Sequence, residues 1–543
     1  MSLTPELSPK PRLLIVGGGY AGFQLAKELQ TKVKDRGGVV TVVDPLPYMT
    51  YQPFLPEVVG GHIEGRNVVV DLATHLKDAE VLRGTVVKVE HARRVATVRG
   101  EDGHEFELPY QDIAMTAGAT TRVFPIKGLG EHGIGLKTVE EAVALRNQIL
   151  ERLDAASLMV DAEARRRALT FVVVGGGFAG IETVGEMEHL IRTAVARDPR
   201  LSQSEVRIVL VEAMGRIMPE VGEDQAVGVV EHLKDRGIEV LLNTSLGDAT
   251  DGIMTLVDMK DKSEKEKFGA DTLVWTAGVA ANAVAKQTDF PVEERGRIEV
   301  TPTLQVKDGE NGVLEGAWGC GDVCAVPDLT GAGPGGFCVP NAQHAGRQAK
   351  QLAANYMAVR HGEGEVQEYV HKSLGAVAGL GFFKGVGNPL GVKISGPAAF
   401  LAHRGYHAYA MPTLDRRFRI LSGWVAETLF GRDSTSVAGQ DTPFNPFRRA
   451  AGVELEPGRF ERQRALESSK ADPAASGPPA PSERIGRGRR RPHPGPCPRA
   501  CPAPVAQLAE AADLKSACCG FESRRGHHAS PALPASAPTV NSR

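Results

Sequence analysis

Long apolar runs are what this chain most clearly lacks. None of its 543 residues falls in an uninterrupted stretch of the roughly 18 apolar residues a spanning helix needs. The opening MSLTPELSPKPR holds no apolar core of the secretory kind, so a cytosolic chain, free or bound to a membrane surface, is expected. Cysteine is scarce: seven, an odd number, without framework spacing. Cys320 and Cys324 form C-x-x-x-C but lack the second ligand pair of a zinc site. With Cys338 they read as buried, inert thiols. Charge of one sign is missing too. A formal net charge of −3 gives no general pull toward nucleic acid, no DNA-binding motif spacing occurs, and no nucleic-acid partner is expected. What is present is 42% apolar content, enough for real cores, and length for two or three domains.

Residues 171–182, FVVVGGGFAGIE, organise the rest. A short β-branched run suits a buried parallel strand. Gly175, Gly177 and Gly180 then give G-x-G-x-x-G. The first glycine permits a sharp turn, the second lets backbone approach a pyrophosphate, and the third lets helix pack on strand. A single match is weak evidence, but residues 13–22, LLIVGGGYAG, repeat it with Gly17, Gly19 and Gly22. Each copy has a second strand ending in an acid, VVTVVD at Asp44 and VRIVLVE at Glu212. Each closes with a similar strand and turn, IAMTAGA and LVWTAGVA. Two dinucleotide-binding halves of one design follow.

Asp44 stands 22 residues beyond Gly22, close to the separation of about 20 for the acid that holds an adenine ribose. Glu212 is placed to accept from a ribose 2′-OH, and its carboxylate repels a 2′-phosphate, which favours NADH over NADPH; Arg216 nearby pulls the other way. Residues 48–61, YMTYQPFLPEVVGG, are expected to form an extended, partly buried loop. It has no cysteine, which argues against a dithiol relay. Residues 80–112 read as an antiparallel meander. Residues 138–160 read as an amphipathic helix with Thr138 and Glu141 as a capping box. AWGCGDV bends at Asp322, and PNAQHAGRQA opens a helix at Pro340. Asn341 and Gln343 at that helix start read equally well as plain capping residues.

From residue 370 the chain becomes Gly/Ala-rich, then aromatic and basic. Leu421, Trp424, Val425 and Leu429 fall on one helical face, with Arg416, Arg417, Arg419 and Arg432 beside it. This suits a helix lying in a lipid interface, with a dimer interface as the plainer reading. Beyond residue 456 no apolar period survives and disorder is expected. Residues 505–527 read like a translated tRNA gene, which would make the tail a readthrough or gene-model product.

Over residues 11–435, the two fingerprints with YQPFLPEVVGG, VEAMGRIMP, WGCGDV, PNAQHAGRQA and the aromatic-basic C-terminus resemble the type II NADH dehydrogenases, non-proton-pumping NADH:quinone oxidoreductases. The resemblance implies an α/β fold with two Rossmann-like domains and C-terminal helices on one membrane leaflet. It implies FAD bound by residues 11–130 and 298–370, NADH by 131–297, and a membrane-associating segment at 371–435. Gly17, Gly19, Gly22, Asp44 and Asp322 would hold FAD, and Gly175, Gly177, Gly180 and Glu212 would hold NADH. Gln343 would lie beside the flavin where quinone arrives, and Glu182 near the nicotinamide–flavin contact. Many members carry Glu where this chain has Asp44. Membrane quinone, an anionic lipid surface and a second copy of the chain are the implied partners, at the cytoplasmic face of the cell membrane. A soluble flavin reductase serving a redox protein and a non-turnover NADH sensor are the alternatives. Glu182 reads as a proton relay or as a carboxylate that merely orients substrate.

Overall fold

The computed structural model describes residues 8–458, apart from 220, 311, 332, 372–374 and 438–441. The tail expectation, including 505–527, lies outside the described residues from 459 onward.

The first half is built on a six-stranded sheet in the order Gln305–Asp308, Gly312–Gly319, Asp112–Met115, Arg12–Val16, Val39–Asp44, Glu80–Arg83. All neighbours pair in parallel except the first two. All five residues of Arg12–Val16 are buried, as a strand covered on both faces must be. Helix Tyr20–Asp35 buries Phe23, Leu25, Ala26, Leu29 and Val33 and packs on helix Ala342–His361. The chain thus leaves this sheet after residue 115 and re-enters it near 305.

The second half repeats the plan. Its five parallel strands run Gly133–Ile134, Thr272–Trp275, Thr170–Val174, Arg207–Val211, Ile238–Leu241. In both sheets the glycine strand lies between the acid-ending strand and the strand that precedes Thr-Ala-Gly. A short antiparallel ribbon, Ala119–Thr121 with Val279–Ala281, joins the halves. The expected capping box forms at the start of helix Val139–Ala156: Thr138 and Glu141 each accept from the other's backbone N–H.

Two local expectations change. Glu80–Arg83 joins the large parallel sheet, and the meander begins only at Thr85–Glu90. Residues 48–61 are not an extended loop: they hold the strand Tyr48–Thr50 and the helix Leu55–Val59. Tyr51, Phe54, Leu55 and Val58 are fully buried, so packing of the aromatics overrode the loop signal of the prolines.

The C-terminal part forms a small three-stranded sheet and the helices Gly396–Ala410 and Leu414–Phe430. The expected face of the second helix is rotated. Trp424 is buried, with Ile420, while Leu414, Phe418, Leu421, Val425 and Leu429 are exposed. These five follow helical spacing and make one outward apolar stripe. Arg432 does not flank it: it is buried among acids. Among the described residues no helix is long and apolar enough to cross a membrane.

Candidate active site

One cleft of about 2650 Å³ takes in both glycine turns. Gly17, Gly19, Asp44, Gly175, Gly177, Glu182, Glu212, Asp322 and Gln343 all line it. Gly22 and Gly180 do not; they stand behind it and seat the helices. A Cβ on Gly22 would lie 1.8 Å from the Gly17 oxygen, and one on Gly180 1.8 Å from the Gly175 oxygen. Gly17 and Gly175 have φ of +98° and +118°, a region side chains avoid. Gly19 and Gly177 face open space. Neither helix start has a side-chain cap, so the first-turn N–H groups and helix dipole are left for an anion. This is a cradle that the pyrophosphate of a dinucleotide such as FAD fits, twice over.

The two acids do the same local work. Asp44 Oδ2 accepts the Gly18 N–H and Oδ1 the Leu46 N–H, both at 2.7 Å. Glu212 accepts the Gly176 N–H at 2.5 Å and the Met214 N–H at 2.7 Å. Each carboxylate oxygen keeps a second lone pair for a ribose hydroxyl. Burial pushes the Asp44 carboxyl up, against the two amides that lower it. Arg216, the residue that argued for NADPH, spends its Nη2 on backbone: it donates to the Val221 carbonyl at 2.6 Å. Its competing pull on a 2′-phosphate is therefore weakened.

Sequence reasoning missed Thr116 and Thr276. Thr116 Oγ1 lies 2.8 Å from the Gly17 carbonyl and Thr276 Oγ1 3.3 Å from that of Gly175, each holding its glycine turn from below. The repeated Thr-Ala-Gly was the available signal. Lys137 was missed as well; its Nζ is 3.8 Å from Asp322 Oδ2 and lowers a carboxyl that burial raises. Gly321 beside Asp322 donates to Gln348 Oε1 at 2.8 Å, tying the bend to helix Ala342–His361.

That helix is capped by Asn341, whose side chain accepts the His344 N–H at 2.8 Å; it does not begin at Pro340. Gln343 takes no part in the cap and lies on the cleft wall. Glu182 is buried, accepts the Gly379 N–H at 3.1 Å, and has Oε1 3.1 Å from His403 Nε2. Tyr51, His403, Tyr406 and His407 complete this end of the cleft. The three described cysteines are buried. Burial raises Cys320 to about 12 and Cys338 to about 11, so neither thiol serves as a ready nucleophile.

Residues 11–349 match the pyridine nucleotide-disulphide oxidoreductase family. A type II NADH:quinone oxidoreductase of Mycobacterium tuberculosis is 25% identical over 447 residues, 79% of this chain and 92% of that protein. A probable NADH dehydrogenase of Dictyostelium discoideum is 25% identical over 432 residues, 78% of this chain and 91% of that one. In fold, the chain is similar to NDH2 of Plasmodium falciparum in complex with NADH, with a TM-score of 0.71 at 17% identity, over 78% of this chain and all of the other. The chain belongs to the pyridine nucleotide-disulphide oxidoreductase family and, within it, to the type II NADH dehydrogenases that its motifs resemble.

Proposed function

We propose that this protein is an FAD-dependent oxidoreductase that takes electrons from NADH and delivers them to a membrane quinone without pumping protons. The observation that carries the reading is that two dinucleotide cradles open into one cleft. Gly17, Gly19, Gly22, Asp44 and Asp322 hold FAD, and Gly175, Gly177, Gly180 and Glu212 hold NADH. Residues 11–130 and 298–370 act as the flavin domain and 131–297 as the NADH domain. Bound FAD supplies the two-electron relay between nicotinamide and quinone. Gln343 orients quinone at the cleft wall, and Glu182 handles a proton there.

Residues 371–435 seat the protein on an anionic lipid surface at the cytoplasmic face. The outward stripe of Leu414, Phe418, Leu421, Val425 and Leu429 supports this, since such a face gains from burial in the headgroup region. The reading includes a homodimer, on the strength of the resemblance alone; light scattering reads it directly. Reconstitution tests the function: FAD-loaded protein with vesicles containing a long-tailed quinone should oxidise NADH only when quinone is present. Quinone-independent NADH oxidation at the same rate would sink it.

A further inference from the structure

Two buried glutamate–histidine–glutamate triads stand side by side, one reaching the cleft and the other behind it. In the inner one, His403 lies between Glu182, 3.1 Å from its Nε2, and Glu57, 4.0 Å from its Nδ1. In the outer one, His62 Nε2 is 2.7 Å from Glu186 and its Nδ1 meets Glu427. Glu182 and Glu186 are one turn apart on helix Phe178–Val195. Arg404 sits between the triads, 3.2 Å from Glu57 and 3.9 Å from Glu427. Arg432 lies 3.4 Å from Glu186 and 3.8 Å from Glu427.

Buried charge is costly unless it is matched. With its four carboxylates ionised, this cluster has only two guanidiniums to set against them. It reaches neutrality when both imidazoles carry a proton. The triads differ in access. Glu182 and His403 line the cleft, whereas Glu57, His62, Glu186 and Glu427 do not.

We propose that His403 stores the proton that quinol formation draws from water and delivers it to the cleft through Glu182. This rests on the quinone reading above. NADH brings two electrons and one proton, and a quinone becoming a quinol takes up two electrons and two protons. One proton per turnover must therefore come from water. In the step, an N–H bond of His403 breaks, Glu182 takes up and releases a proton, and an O–H bond forms on the quinone. Water reprotonates the imidazole before the next turnover. His403 acts through Glu182 and is a positioning residue; the Glu57 carboxylate stands 4.0 Å from its far nitrogen, and Arg404 balances Glu57.

The surroundings favour the stored proton. Glu182 and Glu57 raise the His403 pKa against burial and Arg404. His407, whose ring is 4.6 Å away, is driven well below the ordinary histidine value by burial and by His403, so it does not compete. Strand Val377–Gly379 presents no titratable side chain to the ring. Trp424 reports on the site, because its Nε1 donates to Glu57 Oε2 at 3.1 Å.

The test uses the FAD-loaded protein with Trp275→Phe and Trp318→Phe, leaving Trp424 as sole tryptophan. Its fluorescence should show a titration step above pH 6.5, the ordinary histidine value. His403→Gln should abolish the step and slow flavin reoxidation by a soluble quinone about 100-fold near neutral pH. Reoxidation in the unsubstituted protein should fall as pH rises through the step, and lose that dependence in His403→Gln. A step that survives His403→Gln and vanishes in His62→Gln belongs to the outer triad and overturns the proposal. So does an unchanged pH profile of reoxidation. Should His403→Gln not retain FAD, Glu57→Gln decides: the midpoint should drop and the reoxidation limb move with it, and an unmoved midpoint overturns the proposal. The titration needs no quinone, so a protein that quinone never reoxidises refutes the quinone reading separately.

Discussion

Trp424 donates its indole N–H to Glu57 at 3.1 Å, linking the C-terminal helix to the short helix beneath the cleft. The indole also makes a T-shaped contact with Phe54, with ring centres 5.9 Å apart. Removing the donor leaves Glu57 with Arg404 but one bond short. Trp424→Phe should therefore lower stability by about 1–3 kcal/mol, read by chemical denaturation. It should leave vesicle binding unchanged, because the side chain faces inward.

Vesicle binding should instead depend on the outward stripe. Phe418 is 74% exposed, so placing a charge there costs the fold little. Phe418→Glu should reduce co-sedimentation with anionic vesicles several-fold while leaving the denaturation midpoint in place. High salt should release part of the bound wild-type protein. If Phe418→Glu and Leu421→Glu both bind as the parent does, the stripe is not the lipid-facing surface, and an interface between copies becomes the better assignment.

Glu212 makes a double contact that constrains its replacement. Glutamine keeps one acceptor oxygen for either the Gly176 or the Met214 amide, but not both. Glu212→Gln should thus lower kcat/KM for NADH and narrow its preference over NADPH, because the repulsion of a 2′-phosphate is gone. Equal kcat/KM for both nucleotides in the parent protein would remove Glu212 from this role.

The buried triads predict how stability varies with pH. His62 and His403 have pKa values raised above the ordinary 6.5, in each case by carboxylates acting against burial. Their contribution is complete below 6.5 and is lost as pH rises through the higher folded values. The partners run the other way. Burial alone would raise Glu186 and Glu427, but His62 and the arginines hold both below the ordinary 4.5. Their contribution is complete above 4.5 and is lost as pH falls through the lower folded values. The triads therefore add most to the denaturation midpoint between these limits and less on both sides. His62→Gln, which breaks a buried pair, should cost about 3–5 kcal/mol and flatten the alkaline decline. A wild-type curve that still rises above neutral pH would contradict the assignment.

The two glycine cradles were legible because a turn, a close approach and a terminal acid leave marks within a few residues. Gly17 to Asp44 and Gly175 to Glu212 each fit one local unit. The repeated Thr-Ala-Gly was visible too, but its hydroxyls act on the glycine turn of the neighbouring strand, about 100 residues away in sequence, so their role needed the fold. Residues 48–61 misled because proline and glycine signal loops locally, while burial of Tyr51 and Phe54 is a tertiary fact. The face of helix Leu414–Phe430 was misjudged for a related reason. Trp424 and Leu421 are neighbours on the surface of a lone helix, and only the position of Glu57 decides which of them turns inward. The triads as units left no mark: only Glu182 was singled out, and the residues that meet it and Glu186 come from three other helices and the turn at His62.

The most direct test is anaerobic stopped-flow absorbance on FAD-loaded protein, reading the two half-reactions separately. NADH should bleach the flavin, and a soluble quinone should then restore its colour at a rate sufficient for turnover. Gln343→Ala should slow the second phase more than the first, since Gln343 lies on the cleft wall and outside the helix cap. Flavin that NADH bleaches but quinone fails to reoxidise, or flavin that NADH leaves unbleached, would contradict the account.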